Sequence, residues 1–352
     1  MIQKDRYDIF RQLGLESRLI KVQIELTHEC NLTCVHCKVR HAAETAGGGE
    51  ITAGDVAALL PELRKTGAVH INLTGGELFT RPDIMEVLEI FFAGDFIYSV
   101  QTNATLIGGA ALDLMERNRK KIRAVAVSLY AGDARTHDGV TGVEGSFERT
   151  VEAVRRMKAR GINVAAVTVL MGRNRTCAPQ IARLCRELGI QHQFNAIITP
   201  GEGGGDAPTR LRLSDEALAR LPVPWELIVG MDAHFDAETF GAEQPIISWC
   251  TMGRSSCYIE SNGEVYPCSL VERSAGNIKR QPFSEIWRDS PVLKEIRDYR
   301  VRDFECAGCE LLPECCPCPG LAYAEQGDVH AAPREACRLS KIFLKGRVGA
   351  NV

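Results

Sequence analysis

The sequence predicts an α/β fold: a partial (βα)6 barrel of the TIM type, left open, with a small cysteine-rich C-terminal domain. Short β-branched apolar runs alternate with amphipathic stretches six times between residues 22 and 198. Three of the amphipathic stretches close on glycine before the next run, in "KTGAVHI", "ARGINVA" and "ELGIQHQ", as a left-handed helix end requires. Fourteen cysteines are split unevenly: three at 30, 34 and 37, two at 177 and 185, and nine from 250 to 337.

In chain order the expected strands are Val22 to Leu26, Val69 to Leu73, Ile97 to Gln101, Val125 to Leu129, Val164 to Leu170 and Gln193 to Ile198. Between them, Thr52 to Thr66 carries Val56, Leu59, Leu60 and Leu63 on one helical face, with Pro61 placed to bend it. Asp83 to Phe92, Ala110 to Arg119, Phe147 to Arg160 and Thr176 to Leu188 fill the later intervals. Six units are too few for an eight-stranded barrel, so the sheet should stay open, with right-handed crossovers setting all strand C-terminal ends on one side. That side should carry the first three cysteines after strand one, "TGGE" after strand two, "QTNAT" after strand three and Ser128 at the end of strand four. The glycine-rich "TPGEGGGDAPT" after strand six reads as a linker or a lid. The expected boundaries are an N-terminal extension at 1–20, the barrel at 21–205, a linker at 206–245 and the cysteine-rich domain at 246–345.

Of the 352 residues, 45% are hydrophobic, enough for a large core, and 42 basic and 45 acidic residues are intermixed for a net charge of -3. No basic face for nucleic acid or anionic membrane is expected. The charged start "MIQKDRYDIF" lacks a signal-peptide core, and no stretch approaches the roughly 20 apolar residues that span a bilayer, so the expected location is the cytoplasm. In a reducing compartment fourteen cysteines read as metal ligands rather than disulfides. Cys177 and Cys185 fall on a helix away from both groups and read as ordinary buried cysteines.

The stretch "LTHECNLTCVHCKV" has the spacing C-x3-C-x2-C at Cys30, Cys34 and Cys37. Spacings this short let one loop wrap a compact inorganic cube, whereas zinc fingers bring a second ligand pair from afar. Three thiolates leave one of four irons without a protein ligand, and an open coordination position points to chemistry rather than scaffolding. His28 and His36 could complete a zinc site, although no second pair at finger spacing follows; three cysteines cannot pair internally as disulfides.

This C-x3-C-x2-C after the first strand, followed by "GGE" after the second, resembles the radical SAM superfamily over roughly residues 20 to 200. The resemblance implies that Cys30, Cys34 and Cys37 hold a [4Fe-4S] cluster whose fourth iron is chelated by S-adenosylmethionine (SAM), and that reduction cleaves SAM to a 5'-deoxyadenosyl radical. Gly75, Gly76 and Glu77 then match the motif that binds the SAM amino group, with Glu77 adding negative charge near the ammonium. Asn103 and Ser128 match polar positions facing the ribose and carboxylate, and His36 the slot whose backbone borders the adenine. Taken alone, GGE is common in turns, Asn103 could merely cap the next segment and Ser128 could merely end a strand.

The region beyond residue 245 resembles the SPASM extension of this superfamily. Gly263 stands five residues before Cys268, Cys306, Cys309 and Cys315 have the spacing C-x2-C-x5-C, and "GNI...FSEIW" matches the joining segment. Asn262-Gly263 reads as a hairpin turn bringing Cys257 and Cys268 onto neighbouring arms, so that the ligands converge. Two auxiliary [4Fe-4S] clusters are implied, the first on Cys250, Cys257, Cys268 and Cys318, the second on Cys306, Cys309, Cys315 and Cys337. Cys316 competes with Cys318, and eight thiolates could instead bind two zincs.

By this resemblance the protein is a radical SAM oxidoreductase or maturase served by a reductant such as flavodoxin or ferredoxin. The implied substrate is first a ribosomal peptide or protein, matured by crosslinking or side-chain oxidation. Ser269 stands where sulfatase maturases carry an acidic residue, which argues against that branch. About twenty residues precede the first strand, so a leader peptide would need a separate recognition protein or direct docking. "GLAYAEQGD" after Cys318 also looks like haem-biosynthesis members, which gives tetrapyrrole side-chain modification as the alternative. A non-catalytic iron-sulfur or zinc scaffold is the reading from another class. His137, in an "HD" turn common across the family, reads as no substrate ligand, and the sequence names no catalytic side chain.

Overall fold

The structure, a computed structural model, describes residues 15–39, 49–221, 241–246, 250–312, 315 and 317–349. Six parallel strands form as expected: β1 (Lys21–Glu25), β2 (His70–Thr74), β3 (Ile97–Thr102), β4 (Ile122–Ser128), β5 (Val164–Val169) and β6 (Gln191–Asn195). Their alternation sets one apolar face. Ile24 pairs with Leu73, Leu73 with Val100, Val100 with Val125 and Val125 with Val164, a row of side chains at most 1% exposed that runs across five strands.

Helices cover that face. They are α1 (Ala53–Lys65), α2 (Ile84–Ala93), α3 (Gly109–Arg117), α4 (Ala134–Thr141), α5 (Ser146–Ala159) and α6 (Ala178–Glu187). Helix α1 starts on a capping box in which Thr52 and Asp55 satisfy each other's backbone N–H, and it runs through Pro61 with Val56, Leu59, Leu60 and Leu63 buried. Gly67, Gly161 and Gly189 have φ of +91°, +69° and +64°, which confirms the left-handed turns from helix to strand. Helix α4 was not expected. Its sequence "ARTHDGVT" reads as a turn, but Asp133 caps the Thr136 N–H at 2.9 Å and Gly142 ends the helix at φ +74°.

The sheet does not close. It continues past β1 through β7 (Ser256–Ile259), parallel to β1, then β8 (Glu264–Tyr266) and β9 (Gly276–Asn277), both antiparallel, so that β6 and β9 are its two edges. The cysteine-rich region therefore shares its first strand with the barrel sheet. Helices α8 (Phe283–Asp289) and α9 (Pro291–Asp298) extend the same core through Phe283, Ile286, Trp287 and Leu293, and Cys177 and Cys185 lie within it. A second apolar cluster, around Ile246, Met252, Ile296, Tyr299 and Phe304, supports the C-terminal cysteines.

The described part of the expected linker is structured. Helix α7 (Asp215–Ala219) is capped by Ser214, and Leu213 and Leu218 enter the main core. The remaining α-helices among the described residues are α10 (Pro319–Gln326) and α11 (Arg334–Gly349). No helix among the described residues is long and apolar enough to cross a membrane.

Candidate active site

A cavity of about 530 Å³ opens at the C-terminal ends of β1 to β4. It is lined by Cys30, Cys34 and Cys37 from the loop after β1, by Gly75 and Gly76 after β2, by Asn103 after β3 and by Ser128 and His36. The four motifs expected at one mouth thus meet there. The cysteine loop is tied to α4, with the Thr33 and Val35 N–H groups donating to the Thr141 and Val140 carbonyls at 2.9 and 3.0 Å. Burial pushes the Cys34 thiol up to about 12 and also raises Cys30, and the neighbouring thiols add to both shifts. A bound cation would oppose these shifts and favour the thiolates.

Two glycines let the backbone close around the site. A Cβ on Gly76 would lie 2.3 Å from the Glu29 carbonyl oxygen and 2.6 Å from that of His28, and a Cβ on Gly75 would lie 2.9 Å from Thr27 O. Glu77 is buried beneath the two glycines. Its N–H donates to Glu29 O at 2.7 Å and the chain then enters a tight turn, so the carboxylate faces inward, 1% exposed and away from the cavity wall. It accepts from the Thr102 hydroxyl at 2.8 and 2.9 Å, the Asn103 N–H at 2.7 Å and the Phe79 N–H at 3.2 Å. Burial raises its pKa and these donors oppose the shift. Through these donors Glu77 fixes the loop after β3, and its charge also acts on the Cys30 thiol.

Other residues in and beside the wall escaped the sequence reading. The Asn103 amide donates to Asn31 Oδ1 at 2.9 Å and lies 3.9 Å from Cys30 Sγ, while Asn31 Nδ2 donates to Thr105 Oγ1 at 2.8 Å. Asn31 stands between two of the cysteines, which was its only signal. Tyr130 packs edge-on against His36 with ring centroids 4.9 Å apart, and its N–H donates to His137 Nδ1 at 3.2 Å. His137 is thus a buried backbone acceptor on α4. His28 lies 2.5 Å from Glu25, whose other oxygen accepts from the Tyr258 hydroxyl on β7.

In the C-terminal region Cys306, Cys309, Cys315 and Cys337 come together. Burial first and then the other three thiols push Cys306 up to about 12. The Ser340 hydroxyl donates to Cys315 Sγ at 3.2 Å. Cys268 and Cys318 also meet, with a Cβ on Gly320 placed 2.9 Å from Cys268 Sγ and burial raising both thiols. Cys250 and Cys268 pack against the second apolar cluster. Cys257 does not join them. The expected hairpin forms, but side chains alternate along it: Cys257 lies with Val22 and Ile259 in the main core, on the face opposite Tyr258. Cys316 lies outside the described residues. Among the described residues no three His, Cys, Asp or Glu side chains close on a single-ion site. The thiols are spread around a volume, and three or four of them could hold a cube-sized cluster.

This site and fold define an enzyme built to hold iron-sulfur clusters at the mouth of an open α/β barrel. The family model for the radical SAM superfamily matches residues 24–185, and that for the SPASM iron-sulfur cluster-binding domain matches residues 250–310. The chain belongs to the radical SAM superfamily and carries a C-terminal SPASM domain, and membership implies iron-sulfur clusters and SAM binding. It is 28% identical over 329 residues to an AdoMet-dependent heme synthase of Methanosarcina barkeri, covering 86% of this chain and 92% of that one. It is 29% identical over 283 residues to the antilisterial bacteriocin subtilosin biosynthesis protein AlbA of Bacillus subtilis, covering 77% and 60%. Streptococcus suis SuiB bound to its precursor peptide SuiA superposes with a TM-score of 0.70 at 19% identity, over 91% of this chain and 76% of that one.

Proposed function

We propose that this enzyme abstracts a hydrogen atom from a ribosomally made peptide or protein, maturing it by crosslinking or side-chain oxidation. Cys30, Cys34 and Cys37 hold the cluster that binds SAM, and the C-terminal cysteines hold auxiliary clusters. When bound, the first cluster and SAM supply a carbon radical able to take hydrogen from an unactivated C–H bond. Gly75 and Gly76 admit the amino-acid end of SAM to the backbone, Asn103 and Ser128 offer it polar groups, and Tyr130 and His36 wall the site from water. Glu77 fixes the β3 loop that carries Asn103.

The observation that carries the substrate class is charge. Among the described residues lining the cavity there is no lysine or arginine. A second cavity of about 370 Å³ has Lys38 as its sole described basic residue, against Glu202, Glu272 and Glu325. A cavity lined by carboxylates suits a peptide and opposes the carboxylate-bearing side chains of a tetrapyrrole. The tetrapyrrole reading is kept by a separate observation, the near-complete mutual coverage with the heme synthase.

Anaerobic reconstitution, iron counting and a 5'-deoxyadenosine assay with dithionite test the chemistry. More than about eight irons per chain and deoxyadenosine formation are expected; fewer irons, or none of that product, would sink the three-cluster enzyme. Deoxyadenosine release stimulated by peptides carries the substrate class. Stimulation by a carboxylated tetrapyrrole alone reverses it.

A further inference from the structure

We propose that Lys38 and Glu202 are an opposed pair of charges that sets the reduction potential of the auxiliary cluster at Cys268. The inference rests on the auxiliary-cluster reading above. Lys38 directly follows Cys37, the last cysteine of the SAM-binding loop. Its ammonium donates to the Ser269 carbonyl at 2.9 Å, one residue beyond Cys268, and lies 3.2 Å from a Glu202 carboxylate oxygen. The Glu202 N–H donates back to the Lys38 carbonyl at 3.1 Å. One side chain thus joins the first cysteine loop, the glycine-rich loop after β6 and the auxiliary cysteine loop.

Two features make this more than a tether. Lys38 is the only described lysine or arginine lining either cavity, so no other such side chain dilutes its charge there. Its side chain and that of Glu202 are 25% and 19% exposed, which limits screening by water and salt. When a cluster accepts one electron its charge becomes more negative by one. An ammonium beside it favours the reduced form and a carboxylate favours the oxidised form. Lys38 donates to the Cys268 loop itself and so dominates, holding that cluster at a potential where it can receive an electron.

The test is a mediated dithionite titration of the reconstituted enzyme, followed by electron paramagnetic resonance. A background with Cys30, Cys34 and Cys37 all changed to alanine leaves only the auxiliary signals. Lys38→Gln should lower one auxiliary potential by a tenfold change in its one-electron equilibrium, 59 mV. Glu202→Gln should raise the same potential, and the double variant should fall between the two. A purely mechanical strap predicts shifts of one sign from both variants, or none, and either result overturns the proposal. Iron content separates the two levels of failure. A wild-type chain holding only about four irons refutes the auxiliary clusters themselves, whereas a full complement with unmoved potentials refutes the role of Lys38 alone.

Discussion

At Gly76 the site depends on an absent side chain. The Glu29 carbonyl oxygen lies 2.3 Å from where a Cβ would stand, and both groups are backbone, so relief requires moving the loop that carries Cys30. Gly76→Ala should cut 5'-deoxyadenosine formation at least tenfold while the C-terminal cysteines keep their iron. Gly109→Ala, with nothing within 4 Å of the added carbon, serves as the control and should leave both readouts unchanged. Equal losses from the two substitutions would show that the cradle does not matter. At this scale the sequence was legible where the residue type is itself the chemistry, as with the thiols, Gly75 and Gly76. It was silent on the partners of Glu77, because spacing places a residue in a loop without saying which way its side chain turns. Tyr130 and Asn31 carried no pattern of their own; the cysteine loop gives them a role by meeting Tyr130 after β4 and Asn103 and Thr105 after β3.

Among the elements, strands and helix ends could be read because each follows from a local rule: period-two alternation, a Thr52 cap, a glycine at positive φ. Helix α4 was hidden because its polar sequence reads as a turn, and its local cap and glycine end are supplemented by tertiary contacts. Its end is held by the cysteine loop through the Thr141 and Val140 carbonyls, contacts about a hundred residues apart in the chain. The β7–β8 hairpin shows the other limit. Its turn was legible from Asn262-Gly263, yet the alternation that forms it turns Cys257 into the main core, while Cys268, two residues beyond β8, packs against the second cluster. Cys257→Ala should therefore retain the iron content of the reconstituted protein and cost about 1 kcal/mol of packing. Cys268→Ala should lose about four irons. Iron loss from Cys257→Ala equal to that from Cys268→Ala would restore Cys257 as a ligand.

For the whole molecule, one sheet of nine strands runs from the barrel into the cysteine-rich region. Nothing in either half announces the pairing of β1 with β7, since each strand alone satisfies its own alternation. The join is reinforced on the inner face, where the Tyr258 hydroxyl donates to Glu25, 3% exposed, whose other oxygen pairs with His28 at the cavity wall. Tyr258→Phe removes that donor and leaves a buried carboxylate oxygen unsatisfied, a loss of about 1–3 kcal/mol. Because the strand pairs, the main core and this contact all cross between barrel and SPASM domain, the loss should lower the stability of both together. Denaturant unfolding followed by far-ultraviolet circular dichroism and by cluster absorbance should give coincident transitions that shift by the same amount in Tyr258→Phe. A variant in which cluster absorbance is lost early while the helical signal keeps its wild-type midpoint would mean that the halves fold independently and that β7 is a docked edge rather than part of the barrel core.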